Sequence, residues 1–422
     1  MEQEPIDHDS LPVIIIGAGI SGLLLAQLLR KYRVPFQIFE RDYDLTTRGL
    51  GWGLTLHWSL PALQDLLPDD LLKRLPDTYV DRASVERGNS STFPFFDLST
   101  GDLKWSSPKA PKNQRVRVTR ERLRGLLSTG IDVKWGKSFR SLSADEGSTI
   151  ATFEDDTTCR GRLVVGCDGS HSRVRRALLP TMYENHRLFV SMLGFTMRVT
   201  AQQAEPILQL DPFFLQGTAS ESDTFVYVSL LEAPQRHVDR LEAYIYQVCI
   251  SWDTRKSLLR GKSGSDTLST QRNMVETIRT VANEWSEPFR SFVQLIPDTA
   301  NVQRLEIEDF DPQENSQVHR RVILVGDASH AMTMYRGEGA NHAIVDVLDI
   351  EDKILPHLAC ADTERLHDAI REFESNVRAR TRPAVLASRQ ACQDAHDWGS
   401  LSRATSKSPL LTRRQMYLPF QS

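Results

Sequence analysis

The pattern of apolar residues near the N-terminus is that of a buried strand followed by a helix. Val13–Ile16 form an unbroken apolar run that is too short for a helix and rich in β-branched residues. Such a run is typical of a strand buried on both faces of a parallel sheet. A helical pattern with a wide apolar face covers Ile20–Lys31, and residues 34–39 form a second strand. Similar short apolar runs at 163–165 and 321–325 predict further buried strands, and hence an α/β fold with a parallel sheet.

The pattern changes in the second half of the chain. From about residue 189 to 302, strand-like segments at 189–199, 225–231 and 244–252 are separated by polar linkers without regular strand–helix alternation. This predicts a second, mostly antiparallel sheet. Short antiparallel strands are also predicted within residues 79–105, and a polar loop is predicted at 254–271.

The C-terminal part of the chain is predicted to be helical. Residues 364–390 have a mostly helical pattern, and Pro383 predicts a kink or break because proline lacks a backbone N–H. The tail from Ser400 is polar and basic, which predicts loose packing.

Composition narrows the class of protein. The 422 residues are 40% hydrophobic, enough for sizeable cores, and the net charge of −4 argues against a nucleic-acid binder held by phosphate contacts. Five cysteines without a C-x-x-C pair argue against a disulfide framework or a metal site. The polar start is unlike a secretory signal, and no apolar run is long enough to span a membrane. We therefore expect a cytoplasmic protein, a monomer or homodimer, that acts on a small molecule.

The strongest chemical motif lies between the first two strands. Gly17, Gly19 and Gly22 have the G-x-G-x-x-G spacing directly after a strand and before a helix. The first glycine permits a tight turn, the second lets the backbone approach a pyrophosphate, and the third lets helix and strand pack closely. The helix N-terminus offers free N–H groups and a positive dipole end, and Glu40 ends the next strand where it can bind a ribose. The motif predicts a dinucleotide site.

Two later strands also end in motifs that suit a polar ligand. The strand at 163–165 runs into Gly166-Cys167-Asp168-Gly169 and then into a helix with Arg173, Arg175 and Arg176. The strand at 321–325 is followed by Gly326-Asp327 and by a loop to a glycine-rich helix start near Ala340. His330 has no nucleophile at hydrolase-triad spacing, so a structural role is favoured for it.

These three stretches together resemble the group A flavin-dependent monooxygenases, the para-hydroxybenzoate hydroxylase-like FAD enzymes. The resemblance spans residues 13–355 and implies a Rossmann-type FAD-binding domain. In its general character the sequence is similar to the family members of fungal secondary metabolism. Gly17, Gly19 and Gly22 would hold the pyrophosphate, Glu40 the ribose and Asp327 the ribityl hydroxyls. Helix N–H groups from Gly339 to Asn341 would face the pyrimidine edge of the flavin. The full set of implied cofactor-binding residues is Gly17, Gly19, Ser21, Gly22, Glu40, Arg41, Gly53, Arg120, Asp168, Asp327, Gly337, Gly339, Ala340 and Asn341.

The resemblance also implies a reaction. NADPH or NADH would reduce FAD, and a flavin C4a-hydroperoxide would then hydroxylate or epoxidise an electron-rich aromatic, polyketide-like or indole-like molecule. Pocket candidates are Trp52, Arg198, Tyr227 and Tyr335. The alternatives are an FAD oxidase or dehydrogenase without oxygen insertion and a flavin-binding redox sensor. The family commonly has a proline in the loop after His330, whereas residues 330–336 contain none and have Met334, which predicts a softer loop.

These patterns predict three parts. A discontinuous FAD-binding domain comprises residues 11–75, 112–185 and 305–355. A substrate-binding sheet domain comprises 76–111 and 186–304, and a C-terminal helical segment with its tail comprises 356–422.

Overall fold

A computed structural model describes most of the chain, namely residues 11–47, 51–145, 147–234, 243–256, 270–312, 321–358, 363–403 and 407–414. Most of the polar loop predicted at 254–271 and one of the five cysteines, Cys360, fall outside the described residues. The strands are β1 (Val13–Ile16), β2 (Phe36–Phe39), β3 (Gly53–Leu56), β4 (Phe95–Asp97), β5 (Leu103–Trp105), β6 (Val116–Thr119), β7 (Val133–Lys134), β8 (Phe139–Asp145), β9 (Ser148–Phe153), β10 (Thr158–Gly161), β11 (Leu163–Gly166), β12 (His186–Thr200), β13 (Phe214–Thr218), β14 (Phe225–Glu232), β15 (Ala243–Asp253), β16 (Gln303–Asp309) and β17 (Val322–Leu324).

The helices connect and cover these strands. They are α1 (Ile20–Lys31), α2 (Leu60–Leu66), α3 (Asp69–Leu72), α4 (Arg82–Glu86), α5 (Arg120–Leu127), α6 (Arg173–Leu178), α7 (Ala201–Leu210), α8 (Gln271–Ala282), α9 (Phe289–Gln294), α10 (Asp327–His330), α11 (Gly339–Asp349), α12 (Leu355–Leu358), α13 (Thr363–Asp394) and α14 (Trp398–Leu401). Short 3-10 turns occur at Leu75–Thr78 and Pro409–Leu411, and Ile350–Ile354 is π-helical.

A five-stranded parallel sheet forms the first layer, in the order β17-β11-β1-β2-β7. In its centre, Ile15 pairs with Val165 on one side and with Ile38 on the other. Helices α1 and α11 pack together over one face, and the meander β8–β10 covers the other, where Ile14 and Phe153 share a core. Because both faces are covered, β1 is apolar at every position. The predicted parallel sheet is confirmed.

A seven-stranded sheet forms the second layer, in the order β16-β12-β15-β14-β13-β4-β5. It is antiparallel apart from the β13–β4 pair. Helices α7 and α9 cover one face, where the Tyr246 ring meets Phe292 edge-on at 5.2 Å between centroids. The opposite face lies over the ends of the parallel strands. The second, mostly antiparallel sheet predicted from the sequence is therefore confirmed.

Three local predictions were wrong in whole or in part. The short antiparallel strands expected within residues 79–105 are confirmed for β4 and β5, but residues 82–86 form helix α4 instead, because Asp81 accepts a hydrogen bond from Ser84 N at 2.8 Å and so caps that helix. Helix α13 is continuous through Pro383, so the helix does not break there; buried Thr381 before the proline and buried Ala384 after it anchor the helix on both sides. The tail is packed in its described parts, residues 400–403 and 407–414, where Leu401 and Leu410 are buried.

Three boundaries of the domain division drawn from the sequence lie inside elements, namely 75/76 in the 3-10 turn Leu75–Thr78, 304/305 in β16 and 355/356 in α12. Residue 304 lies within β16, which pairs with β12 in the seven-stranded sheet. The turn from the second sheet into the first therefore lies after Asp309.

Within the described ranges, no helix is long and apolar enough to cross a membrane. The four described cysteines are all buried and free.

Candidate active site

A cavity of about 520 Å³ lies where the carboxyl ends of the parallel strands face the seven-stranded sheet. Open α/β sheets bind ligands at this edge, because the loops that leave the strands converge there. The N-termini of α1 and α11 both face the cavity, and neither Gly19 nor Glu338 makes a side-chain cap bond. Two sets of unpartnered backbone N–H groups are therefore directed towards the same cavity.

The fingerprint turn has the geometry that its glycines predict. Gly17 has a φ of +108°, and a Cβ there would lie 2.4 Å from the carbonyl oxygen of Cys167. A Cβ on Gly22 would lie 2.0 Å from the Gly17 oxygen, so this position requires glycine for close packing. At Gly19 a Cβ would meet nothing within 4 Å, which leaves open space in front of the helix start. That space suits a pyrophosphate.

Glu40 lies at one end of the site beside a smaller adjoining cavity, which Arg41 and Arg120 also line. Its Oε2 accepts a hydrogen bond from Ala18 N at 2.7 Å, and its Oε1 accepts one from Asp42 N at 3.1 Å. The carboxylate thus holds the fingerprint turn in addition to facing the cavity. Its contact with a ribose stays a prediction.

The opposite end is built around Gly326-Asp327. Gly326 has a φ of +62°, which turns the chain from β17 towards the cavity. The Asp327 side chain is exposed to the cavity, and its Oδ1 would lie 3.6 Å from a Cβ placed on Gly339. Gly337, Gly339 and Ala340 also line the cavity. An acceptor for hydroxyl groups therefore lies beside the positive end of α11.

The side chain of Asn341 has structural partners, and the contact of its backbone N–H with the flavin stays a prediction. Its side chain is fully buried and does not line the cavity. Its Oδ1 accepts from His57 N at 3.1 Å and from Ser59 Oγ at 2.8 Å, and its amide nitrogen donates to the Thr55 oxygen at 3.0 Å. The side chain therefore ties α11 to β3.

Asp168 also has internal partners. It lines both cavities, but its carboxylate accepts from Ser172 Oγ, Arg173 N and Val174 N, so it supports the first turn of α6 beside the cap residue Ser172. Arg175 follows in the same helix and donates to the backbone carbonyls of Ser170, in the loop before α6, and of Ala328 in α10. This stretch therefore holds two segments of the site together.

The loop after His330 is anchored despite its lack of proline. Thr333 Oγ1 donates to the Ser388 oxygen at 2.7 Å, and Arg336 Nε donates to Glu338 at 2.6 Å. Met334 lines the cavity between these anchors. His330 is fully buried and bonded to Asp346, which agrees with the structural role favoured for it.

The candidate substrate residues divide into two groups. Trp52 and Tyr227 line the cavity. Tyr335 also lines it, but its hydroxyl donates to Ser251 Oγ at 2.9 Å, and burial raises the pKa of this phenol well above its usual range. Arg198 was a wrong prediction, because it is exposed and lies on β12 beyond the part of the strand that faces the cavity.

Several cavity residues were not singled out from the sequence. They belong to no recognisable motif, because arginines in a short strand or a polar tail and aromatic residues in or near strands are common in any sequence. The residues are Phe93, Arg117, Phe214, Gln247 and Arg414.

The cavity as a whole fits FAD. It is continuous from the open space before Gly19 to the start of α11, and a Cβ on Gly337 would meet nothing within 4 Å. Helix ends and Arg41 suit the phosphates, and Asp327 suits the polyol.

Comparison with known proteins agrees with this geometry. Residues 10–382 match the family described as FAD binding domain. The chain is 42% identical over 421 residues to a probable FAD-dependent monooxygenase of Arthroderma benhamiae, covering 95% of each chain. It is 34% identical over 355 residues to the FAD-dependent monooxygenase dbaB of Emericella nidulans, covering 82% of this chain and 87% of that one.

Solved structures share the fold. The structure of 2,6-dihydroxypyridine-3-hydroxylase from Arthrobacter nicotinovorans superposes with a TM-score of 0.73 at 17% identity, covering 98% of both chains. HpxO of Klebsiella pneumoniae, in complex with FAD and uric acid, superposes with a TM-score of 0.70 at 18% identity, covering 97% of this chain and 95% of that one. The chain therefore belongs to the para-hydroxybenzoate hydroxylase-like family of FAD-dependent monooxygenases and is an FAD-binding oxidoreductase.

Proposed function

We propose that this monooxygenase uses NADPH or NADH and O2 to hydroxylate or epoxidise an electron-rich small molecule in fungal secondary metabolism. The substrate would be aromatic, polyketide-like or indole-like. The observation that carries the proposal is the continuity of the cavity, which joins the FAD cradle to an aromatic-walled chamber under the seven-stranded sheet. Fungal relatives named as FAD-dependent monooxygenases support the same reaction class.

The chamber walls suit a flat aromatic molecule. The Phe93 and Phe214 rings meet edge-to-face at 5.5 Å between centroids, and Phe214 meets Tyr227 in the same way at 4.9 Å. Trp52 forms another wall, packed directly against Gly194 of β12. Aromatic rings favour such offset and edge-on contacts. These side chains would hold the substrate ring in one orientation and exclude water from it.

The polar groups of the chain have distinct tasks in this proposal. Bound FAD supplies the electron transfer and the activation of oxygen. The positive end of α11 stabilises negative charge that develops beside Gly339, because its free N–H groups are already oriented there. Gln247 accepts a hydrogen bond from Gly53 N at 3.1 Å and so fixes the strand next to Trp52.

Isotope-labelled oxygen gas tests the reaction type. The FAD-loaded enzyme is incubated with NADPH, 18O2 and a panel of phenols and indoles, and products are analysed by mass spectrometry. We expect one labelled oxygen atom in the product and aromatic-stimulated oxidation of NADPH. Consumption of substrate with an unlabelled product and release of hydrogen peroxide would refute oxygen insertion and favour an oxidase.

A further inference from the structure

Arg117 is a buried arginine in the wall of the chamber, and none of its hydrogen-bond partners in the described part of the chain is acidic. It lies on β6, and the residue is 4% exposed. Its Nη1 donates to Thr55 Oγ1 at 2.7 Å, and its Nη2 donates to the Tyr227 hydroxyl at 2.6 Å and to the Ser229 hydroxyl. Its Nε has no partner among the described residues. Every group that receives a hydrogen bond from this guanidinium is therefore neutral.

Arg414 reaches the same cavity from the C-terminal tail. Its Nε donates to the Arg336 oxygen at 3.4 Å, and its Nη1 donates to the carbonyls of Leu410 and Thr412. Burial and the charge of Arg336 lower the pKa of Arg414 to about 9. Glu338 opposes this shift, but its Oε2 is already bonded to Arg336 Nε at 2.6 Å. Within the described ranges, no ion pair joins Arg414 to a carboxylate.

The two guanidinium groups lie beside the aromatic walls. The Arg414 Cζ is 5.1 Å from the Phe93 ring centre, and the Arg117 Cζ is 5.6 Å from the Phe214 ring centre. Phe93 has a φ of +51°, a strained conformation for a bulky residue that places its ring between these elements. Neither arginine lines the smaller cavity beside Glu40, so both belong to the end of the site away from the fingerprint.

The tail that carries Arg414 is built into the site. Arg336, in the loop before α11, donates to the Pro409 carbonyl and to Thr412 Oγ1 at 2.9 Å. Leu410 is fully buried beneath it. Two ordered elements far apart in sequence thus each bring a positive charge to one aromatic chamber.

Among the described residues, neither guanidinium donates to a carboxylate. A buried cation in that state is strongly unfavourable unless an anion joins it. We infer that the natural substrate is an anionic aromatic molecule whose carboxylate or other acidic group is bound by Arg117 and Arg414. The inference rests on the proposed function, since it names the substrate class of the same site. The aromatic walls hold the ring, and the guanidinium groups select the acid over its neutral analogue.

Equilibrium binding to the FAD-loaded enzyme tests this inference without turnover. The probes are 2,4-dihydroxybenzoate against resorcinol, and 1-hydroxy-2-naphthoate against 1-naphthol, titrated at constant ionic strength without NADPH. Binding is followed by the change in flavin absorbance. We expect each acid to bind about tenfold or more tightly than its neutral partner, because charge-assisted hydrogen bonds are the stronger ones.

Variants at two neighbouring arginines test whether Arg414 causes the preference for the acids. Arg414→Gln should weaken binding of the acids about tenfold and leave the neutral probes within about twofold, and Arg414→Lys should retain part of the preference. Arg413→Gln is the matched control, because it removes the same charge from an exposed side chain one residue away. It should bind all four probes as the wild type does. If Arg414→Gln loses FAD, the inference is judged by the ratio of acid to neutral affinity in the wild type and in Arg414→Lys.

Equal affinity of the wild type for acid and neutral probes would overturn the inference, as would failure of both acids to bind. Equal losses of affinity for the acids in Arg413→Gln and Arg414→Gln would also overturn it. Since this binding needs neither NADPH nor oxygen, an unlabelled product in the 18O2 experiment would refute the proposed reaction and leave these titrations unaffected.

Discussion

Replacing Asp346 should both destabilise the fold and loosen FAD binding. Its carboxylate is fully buried and accepts three hydrogen bonds of 2.7 Å each, from Gly326 N, His330 Nε2 and Arg380 Nη2. Burial alone would raise the pKa of Asp346, but the neighbouring His330 and Arg380 hold it far below its usual range. One side chain of α11 therefore fixes the turn that carries Asp327.

The magnitude follows from the geometry of Asp346→Asn. Gly326 and His330 share Oδ2, and Arg380 occupies Oδ1. Donors thus face both carboxylate oxygens. Whichever way the side-chain amide of the variant is turned, its NH2 group would face one of these donors and could not accept a hydrogen bond from it. Breaking a buried ion pair costs about 3–5 kcal/mol. Arg380 keeps Asp349, at 2.9 Å, as a second partner, so we expect the lower end, about 3 kcal/mol.

Thermal unfolding and FAD retention are the two measurements. At about 2 °C for each kcal/mol in a large domain, Asp346→Asn should lower Tm by about 6 °C. Loss of the bond to Gly326 should also raise the Kd of FAD about tenfold. Asp349→Asn is the matched control, because this carboxylate is partly exposed and bonds Arg380 without reaching the Gly326 turn. It should change Tm by about 2 °C and leave FAD binding unchanged.

The reasoning about Asp346 would be refuted by one pattern of results. If Asp346→Asn and Asp349→Asn lowered Tm equally and both retained FAD like the wild type, the bond to the Gly326 turn would have no role in holding the cofactor.

Three further perturbations test other parts of the site. Asp327→Ala should purify nearly colourless because the cavity loses its acceptor beside α11, and a fully yellow protein would contradict this. Gly194→Ala would place a Cβ 2.5 Å from the Trp52 ring, so it should raise the KM for aromatic substrates about tenfold while FAD is retained; an unchanged KM would exclude Trp52 as a wall. Burial lowers the pKa of His396 to about 4, so between pH 6.5 and 4 the unfolded chain binds a proton that the folded chain excludes. Stability should therefore fall as the pH falls, by about 1.4 kcal/mol per unit from this residue, and Tm should fall less steeply with pH in His396→Asn than in the wild type; equal slopes would contradict this.

The FAD cradle could be predicted from the sequence because its signals are local. A strand, three glycines and a helix follow one another within Val13–Ile16 and Ile20–Lys31. Gly17 and Gly22 have a steric reason at their own positions, and Gly19 leaves open space before the helix. The end of β17 likewise carries Asp327 directly after a buried strand. Backbone conformation and the direction of a strand end depend on neighbouring residues, so such motifs survive without knowledge of the tertiary structure.

The substrate chamber could not be predicted in this way. Alternation along β12 places Met192 and Arg198 on the same face, yet Met192 lines the cavity and Arg198 is exposed. The pattern of a strand indicates a face of the sheet, but not how far along the strand that face is covered. Arg117 and Arg414 had no distinguishing motif at all, because a buried cation has the same sequence pattern as an exposed one.

The sequence by itself therefore determined the class of the protein, its two sheets and its FAD-binding motifs. The tertiary structure alone decided which side chains form the chamber, because its walls come from residues as distant in sequence as Trp52 and Arg414. It also decided that a polar tail is part of the site. The physical reason is that cavity shape and unpaired buried charge are properties of the packed whole, which no local spacing encodes.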